Sequence, residues 1–294
     1  MEHSVFYHFY KNAGFNVYTS HSSEWCEIQR GMLISIPYHH LIVPSLEELD
    51  DLLKRSGAWG LRFPTGMDYY GFLSKLEICQ QFGYSLQSLK PKIRNQVRKG
   101  EKYCEIRPVS MNELKNEGLD LNLQTIRRQG RNDPKADRTY WHRICEALGH
   151  TNGVNVIGSY FQGRLAAYMV VLETCSMAEI IMHNSETALL QYCPNNLLTY
   201  YATRLYLTER KNPLPVCYGL GSLEDNPALD HYKMGMGYIM QPIKQQLYFR
   251  KKVRFFLRPS ILSIGKMLNH SILGGKSYTW DKCYAMLQRH FQQQ

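Results

Sequence analysis

The fold of this chain is decided by residues 216–243, which read Val-Cys-Tyr-Gly-Leu-Gly-Ser-Leu-Glu-Asp-Asn-Pro-Ala-Leu-Asp-His-Tyr-Lys-Met-Gly-Met-Gly-Tyr-Ile-Met-Gln-Pro-Ile. Asn226 can accept hydrogen bonds from the first free amides of a helix, and Pro227 suits the first helical position. Gly235 or Gly237 can adopt the left-handed conformation that ends a helix. The stretch therefore predicts a strand, a loop, a short capped helix, a turn that ends in glycine and a second strand.

The residues before this stretch continue an alternation of strand and helix patterns. Ser110 with Glu113 three residues later forms a capping-box match, which predicts a helix start. Strands are predicted over 103–109, 154–161, 164–173, 177–184 and 216–220, and helices from Ser110, over 137–148 and after Pro194-Asn195-Asn196. From residue 103 onward the predicted order is β-α-α-β-β-β-α-β-α-β.

The first hundred residues carry a second group of predicted elements. Aromatic and branched residues predict strands over 15–20, 24–36, 58–63 and 72–79, the second of them a hairpin about Arg30-Gly31. A capping box predicts a helix from Ser45 to Arg55. A further helix begins at Ser88, with Leu89, Ile93 and Val97 on one face, and Gly100 is predicted to stop it.

Composition limits the class of protein. A chain of 294 residues with 44% apolar residues can bury a large core, and its length suggests two lobes. No apolar run approaches the roughly 20 residues that span a bilayer, and no signal peptide is visible, so a cytoplasmic protein is expected. The eight cysteines are scattered without short Cys/His spacings, so neither a metal site nor a disulfide framework is expected.

The net charge of +10 is concentrated in two segments. Residues 86–102 hold six bases and one acid, and residues 244–258 hold six bases and no acid. Such surfaces suit an anionic partner: a phosphate ligand, tRNA, or a membrane surface met through residues 250–258 at the inner membrane face. Solvated faces on ordinary elements, and a tail packed on its own domain, explain the same composition.

The sequence resembles the GNAT acyltransferase superfamily, in its FemAB-like branch. That branch reads Phe-Lys followed by Phe-Gly where this chain has Tyr232-Lys233 and Met236-Gly237, and similar segments lie at 88–100, 163–168 and 193–198. The resemblance implies an α/β (α+β) fold with a GNAT-like mixed central sheet flanked by helices. It also implies two lobes, the first a truncated GNAT-like lobe over 1–87, the second an acyltransferase domain over 88–249, followed by a basic tail with a terminal helix over 250–294.

In GNAT folds the phosphates of the donor lie at the N-terminus of the helix that follows the third strand of the set, where free amides and the helix dipole attract anions. The resemblance places that site at Asn195 and Asn196, although an asparagine there can also be a simple helix cap. Arg127 and Arg128 begin the segment Arg-Arg-Gln-Gly-Arg-Asn, which matches the pyrophosphate signature of the superfamily in all but its last position. The segment precedes the central strands instead of following them, so an exposed helix end is the simpler interpretation.

Four side chains are candidate catalytic residues. By resemblance, Lys233 lies near the reacting groups and stabilises developing negative charge, or else it is a surface lysine. Tyr232 can give a proton to a leaving thiolate, or simply pack. His183 and Glu186 are the candidate general bases, or satisfied polar residues without a catalytic task.

The sequence therefore suggests an acyltransferase that moves an acyl group from acyl-CoA to an amine, on a small molecule or a glycan precursor of the cell envelope, without a metal. Aminoacyl-tRNA is the alternative donor, as in tRNA-using FemAB-type transferases. A non-catalytic GNAT-fold module that binds a nucleotide-linked sugar or RNA is a rival from another class, and a membrane-surface scaffold is a third hypothesis.

Overall fold

The computed structural model describes residues 3–129, 137–221 and 226–256. Two compact units share the chain: the first comprises Met1–Ala13, Leu76–Gly219 and Asn226–Gln241, and the second Gly14–Lys75, Leu220–Asp225 and Pro242–Gln294. The predicted domain boundaries at residues 87 and 249 remain predictions. In the part of the chain that is described, no helix is long and apolar enough to cross a membrane.

The helices and strands follow one another in this order: α1 (Val5–Asn12), β1 (Val17–Thr19), β2 (Glu24–Gln29), β3 (Met32–Ile36), α2 (Leu46–Ser56), β4 (Gly60–Thr65), β5 (Phe72–Cys79), α3 (Pro91–Tyr103), β6 (Cys104–Pro108), α4 (Met111–Arg128), α5 (Arg138–Gly149), β7 (Val154–Phe161), β8 (Arg164–Glu173), β9 (Ala178–Ser185), α6 (Pro194–Arg204), β10 (Val216–Leu220), α7 (Pro227–Gly235), β11 (Ile239–Phe249) and α8 (Lys251–Phe256). From β6 onward this is the predicted order up to β11.

Local chemistry explains where two of these helices begin. Ser110 caps α4 as predicted, because its hydroxyl accepts from the Glu113 amide at 3.2 Å while the Glu113 carboxylate accepts from the Ser110 amide at 3.0 Å. Asn226 caps α7, its side-chain oxygen accepting from the amide of Leu229 at 3.1 Å, with Pro227 at the first helical position. Both predicted helix starts are confirmed.

The sheet of the first unit places α6 and α7 at one edge. Strand β10 pairs with β9 in parallel, with Cys217 opposite Glu179, and β8, β7 and β6 continue the sheet with antiparallel pairs. Parallel neighbours end at the same edge, so the helices that follow β9 and β10 both begin there. In open α/β sheets this edge is where ligands bind.

The prediction that Gly100 stops a helix is wrong, because α3 continues to Tyr103. Gly100 instead permits a close helix contact. A Cβ atom at this position would lie 2.6 Å from Cβ of Leu197 and 3.0 Å from the carbonyl oxygen of Cys193, both at the start of α6. The glycine is therefore a packing residue that lets α3 approach the N-terminus of α6.

Replacing Gly100 with alanine is expected to destabilise the protein by about 1–3 kcal/mol, since the added methyl group has no space against the backbone of α6. The measurement is the urea midpoint of unfolding. The matched control is Asn95→Ala, at an exposed position of the same helix, which is expected to stay within about 0.5 kcal/mol of wild type. A Gly100→Ala protein as stable as the control would show that the two helices can separate without cost.

The second unit has its own core. Its strands β1, β2, β3 and β4 are neighbours in that order, with β2 and β3 as the predicted hairpin and β3 parallel to β4, and β11 pairs antiparallel with β4 from Lys244 onward. Trp25 and Phe63 meet edge to face in its core, with ring centres 5.8 Å apart. The tail beyond residue 256, which includes the predicted terminal helix, lies outside the described residues.

The sequence pattern gave no sign of α1. Ser4 caps this helix by accepting from the Tyr7 amide at 3.2 Å, and Phe6, Phe9 and Tyr10 are its buried side chains. Its aromatic composition is as typical of strands as of helices. Only its packing within the first unit therefore decides that this segment is a helix.

Candidate functional site

Lys233, predicted to act near the reacting groups, is buried on α7 of the first unit. Its side chain is 8% exposed and donates a hydrogen bond to the carboxylate of Glu77, on β5, which is 4% exposed. The ammonium nitrogen also lies 4.7 Å from the centre of the Tyr218 ring. Removing the two charges from water costs several kcal/mol for each. The burial of Lys233 is therefore tolerated only because Glu77 is its ionic partner. Lys233 is not a surface lysine.

A chain of hydrogen bonds runs beside Lys233 and joins β9, β10, α6 and α7. The Nδ1 atom of His183 lies 3.2 Å from the hydroxyl of Tyr218, which lies 3.0 Å from the hydroxyl of Thr199. The Thr199 hydroxyl lies 2.8 Å from that of Tyr232, and Tyr232 donates to the carbonyl oxygen of Asn195 at 3.1 Å. Two predicted catalytic residues, His183 and Tyr232, are thus brought into one network.

The environment of His183 keeps its imidazole neutral. Its pKa is lowered to about 4, chiefly by burial and also by the nearby positive charges of Lys233 and Arg128, while the side chain of Asn195 acts in the opposite direction. Within the described residues, Nε2 of His183 and Oδ1 of Asn195 are buried without a hydrogen-bond partner. A neutral imidazole with an unpartnered ring nitrogen has the chemical state that a general base needs.

Tyr232 is held in its protonated form. Burial is the main cause that raises its pKa, and the same holds for Tyr218. Both phenols are therefore neutral hydrogen-bond donors over the physiological range of pH, which suits proton donation better than a role as a base.

The start of α6, predicted to hold donor phosphates, uses its asparagine side chains internally. Asn195 donates to the hydroxyl of Ser185 at 3.0 Å, and Asn196 donates to the side-chain oxygen of Gln96 at 3.3 Å. Neither amide caps the helix by a side-chain hydrogen bond, because α6 has no such cap. Their role in binding a donor remains a prediction.

Arg128 is closer to this helix end than its place in the sequence suggested. Its guanidinium donates to the hydroxyls of Thr187, at 2.9 Å, and Ser185, at 3.1 Å. Ser185 is also the partner of Asn195, so Arg128 reaches the region that follows β9 from the C-terminal end of α4. Arg127 is exposed, and the rest of the signature-like segment, residues 130–132, lies outside the described residues.

Glu186, the second candidate base, belongs to a different contact. Its carboxylate forms an ion pair with Arg164 at 3.2 Å. Arg164 begins β8 and its side chain is 72% exposed, whereas that of Glu186 is 14% exposed. Of the two candidate bases, the hydrogen-bond chain includes His183.

Three members of the site escaped the sequence interpretation: Glu77, Thr199 and Tyr218. Glu77 stands in a predicted strand between apolar residues, and a charged residue at such a position is a signal of pairing. Thr199 and Tyr218 carry no comparable signal, since buried hydroxyls in helices and strands are common. Among the described residues, no group of three or more His, Cys, Asp or Glu side chains is arranged to hold a metal ion.

Comparison with solved structures identifies the fold. Over 86% of this chain and 92% of the other, the structure superposes on that of FemX with a TM-score of 0.58 and 11% sequence identity. The chain has the FemX fold. The predicted GNAT-like, FemAB-type α/β architecture is confirmed by this match.

Two further solved structures match the chain at the same low identity. The C-terminal domain of a proposed lysylphosphatidylglycerol synthetase from Agrobacterium fabrum matches with a TM-score of 0.55 and 11% identity, over 92% of this chain and 93% of that one. The L-PGS of Bacillus licheniformis matches with a TM-score of 0.53 and 11% identity, over 83% and 86%. No protein-family model and no curated protein sequence matches the chain.

Proposed function

We propose that this protein is an acyltransferase that moves an acyl or aminoacyl group to an amine of a cell-envelope component. The observation that carries the proposal is the buried Lys233–Glu77 pair beside a hydrogen-bond chain that ends at a neutral histidine. The fold supports it, because the similar structures include a domain of a proposed lysylphosphatidylglycerol synthetase, which is named for a lipid that carries an aminoacyl group.

The residues of the site match the steps of the reaction. His183 takes a proton from the attacking amine through Nε2 as the new C–N bond forms. Lys233 has three N–H donors, and since Glu77 uses one, the others can stabilise the oxyanion of the tetrahedral intermediate. When the bond to the leaving group breaks, Tyr232 gives it the hydrogen that it otherwise donates to the Asn195 carbonyl oxygen, and Thr199 can replace that hydrogen along the chain. Overall one proton passes from the amine to the leaving group.

An aminoacyl ester of tRNA is the donor that the structure favours. The connection between β9 and α6, residues 186–193, contains no glycine, so it lacks the kind of loop that cradles a pyrophosphate. Helix α3 exposes Lys92, Arg98, Lys99 and Lys102, which suits contact with a phosphate backbone. The proximity of Arg128 to the start of α6 favours acyl-CoA as the second candidate.

A ligand that binds the native state is expected to raise the melting temperature, because binding stabilises the folded protein by mass action. At a hundredfold excess over Kd the stabilisation is about 2.7 kcal/mol, which corresponds to a shift of about 4 °C for a chain of 294 residues. The measurement compares a non-hydrolysable aminoacyl-tRNA analogue, uncharged tRNA, acetyl-CoA, a longer acyl-CoA and free CoA.

Transfer is then followed with a radiolabelled acyl or aminoacyl group and an envelope fraction as acceptor. Incorporation from charged tRNA but not from acyl-CoA supports the favoured donor, and the reverse result supports the second candidate. Salt-dependent association with RNA without transfer from any donor would contradict the enzyme and favour the binding module.

A further inference from the structure

The hydrogen-bond chain that ends at His183 has a direction, and its far end fixes that direction. The carbonyl oxygen of Asn195 can only accept, so Tyr232 must donate its single hydroxyl hydrogen there. With that hydrogen used, the oxygen of Tyr232 accepts in its second contact. Thr199 is therefore the donor in the 2.8 Å hydrogen bond between Thr199 and Tyr232.

The donors and acceptors of the remaining contacts, up to His183, follow in the same way. Thr199 has one hydroxyl hydrogen, which it gives to Tyr232, so it accepts from Tyr218 across 3.0 Å. Tyr218 then has no hydrogen left for its 3.2 Å contact with Nδ1 of His183. Nδ1 must supply the hydrogen itself. In a neutral imidazole the other nitrogen, Nε2, then carries a lone pair and no proton.

We propose that Tyr218, oriented by Thr199 and Tyr232, is a positioning residue that holds His183 in the tautomer protonated at Nδ1 and leaves Nε2 as the proton-accepting atom. The tautomer follows from the donation of Tyr232 to the Asn195 carbonyl oxygen, traced back along the chain, and the use of Nε2 as a base rests on the proposed function. The opposite tautomer would place a hydrogen on Nε2, for which Oδ1 of Asn195 is the competing acceptor, and it would reverse every donor in the chain, so that Tyr232 no longer donates to the Asn195 carbonyl oxygen.

Two observations bear on the state of Nε2. Nε2 has no partner within hydrogen-bond geometry among the described residues, while the side chain of Asn195 beside the ring, whose Oδ1 is likewise buried without a partner, favours protonation of the ring. The imidazole is neutral because burial and the charges of Lys233 and Arg128 keep its pKa low. At physiological pH it therefore carries a single proton, on either Nδ1 or Nε2. The amine of the acceptor substrate is the donor that Nε2 would meet.

Helix α6 supplies a matched control for the chain. Thr203 lies one turn after Thr199, is equally buried, and its hydroxyl forms a 2.7 Å hydrogen bond with that of Tyr238. Neither Thr203 nor Tyr238 has a hydrogen bond with the four side chains that end at His183 in the described structure. Valine at 199 or at 203 therefore removes the same group from the same helix, but only the first change interrupts the chain.

The test is the tautomer of His183, read from the ¹⁵N shifts of its two ring nitrogens in histidine-labelled protein, with the signal assigned by its loss in His183→Gln. Wild type is expected to show a protonated Nδ1 and an unprotonated Nε2. In Thr199→Val the hydroxyl of Tyr218 loses its acceptor and turns to donate to Nδ1, so the proton is expected to move to Nε2. Thr199→Ser should restore the wild-type signal, and Thr203→Val should leave it unchanged.

Activity gives a second measurement. Thr199→Val is expected to lower kcat/KM for transfer by about 100-fold, with recovery in Thr199→Ser, since general-base catalysis is lost with the lone pair on Nε2. Wild-type protein with its proton on Nε2 would overturn the inference even if transfer occurs. The predicted tautomer in a protein that transfers nothing would overturn the proposed function and leave the inference standing.

Discussion

Replacing Lys233 with methionine is expected to lower the free energy of unfolding by about 3–5 kcal/mol, because it leaves the carboxylate of Glu77 buried without a counter-charge. The pair is 8% and 4% exposed, so water cannot replace the missing partner. This is the largest effect on stability that we expect from a single polar substitution in the site. The measurement is urea unfolding at neutral pH.

A surface ion pair in the same unit provides the control. Lys115 lies 3.1 Å from the carboxylate of Glu146, and the two side chains are 33% and 62% exposed. Lys115→Met is expected to change stability by no more than about 1 kcal/mol. Equal effects of the two substitutions would contradict the interpretation that Lys233 and Glu77 form a buried, mutually dependent pair.

The double variant Lys233→Met with Glu77→Met separates folding from catalysis. Removing both charges leaves no uncompensated ion, and apolar replacements of buried ion pairs are often neutral for stability. We expect the double variant to fold with most of the wild-type stability and to transfer about 10²–10³-fold more slowly, since the oxyanion loses its stabilising cation. Wild-type turnover in the double variant would remove Lys233 from the proposed mechanism.

Replacing His183 with glutamine is expected to lower kcat/KM by about 10²–10⁴-fold, the usual loss when a general base is removed. Its control is His150→Gln, at an exposed position after α5, which should leave transfer unchanged. An effect of His183→Gln no larger than that of the control would show that the histidine is a satisfied polar residue.

The pH dependence adds a test of the environment of His183. Its pKa is lowered from 6.5 to about 4, so the base stays unprotonated well below neutral pH and the acidic limb of kcat/KM should lie near pH 4. An unshifted histidine would place that limb near its ordinary value of about 6.5.

Stability should respond in the same window. Between pH 6.5 and about 4 the imidazole of His183 binds a proton in the unfolded chain but not in the folded chain. The folded state therefore loses stability as the pH falls through this range, and above pH 6.5 His183 does not change the stability. The difference between the urea midpoints of wild type and His183→Gln, measured at each pH, separates the contribution of His183 from that of the other titrating groups. The variant should lose less stability on acidification, and parallel curves would contradict the lowered pKa.

The local signals in the sequence were sufficient for most elements but not for the contacts between them. Ser110, Glu113, Asn226 and Pro227 act within a few residues of themselves, so the helix starts that they encode were predictable. Gly100 was misread because a glycine that ends a helix and one that admits a neighbouring helix look identical in a single sequence. Their difference lies in a partner helix about a hundred positions away.

The features of the candidate site also separate into those that the sequence predicted and those that only the structure shows. The sequence by itself determined that a short capped helix carrying Tyr232 and Lys233 follows a strand, and that His183 ends the third strand of the set. Only the tertiary structure decided that Lys233 is buried against Glu77, 156 positions away, and that Arg128 reaches the end of β9. Caps and hydrophobic periodicity are set by neighbours along the chain, whereas burial of a charge and the direction of a hydrogen-bond chain depend on which strands and helices meet in space.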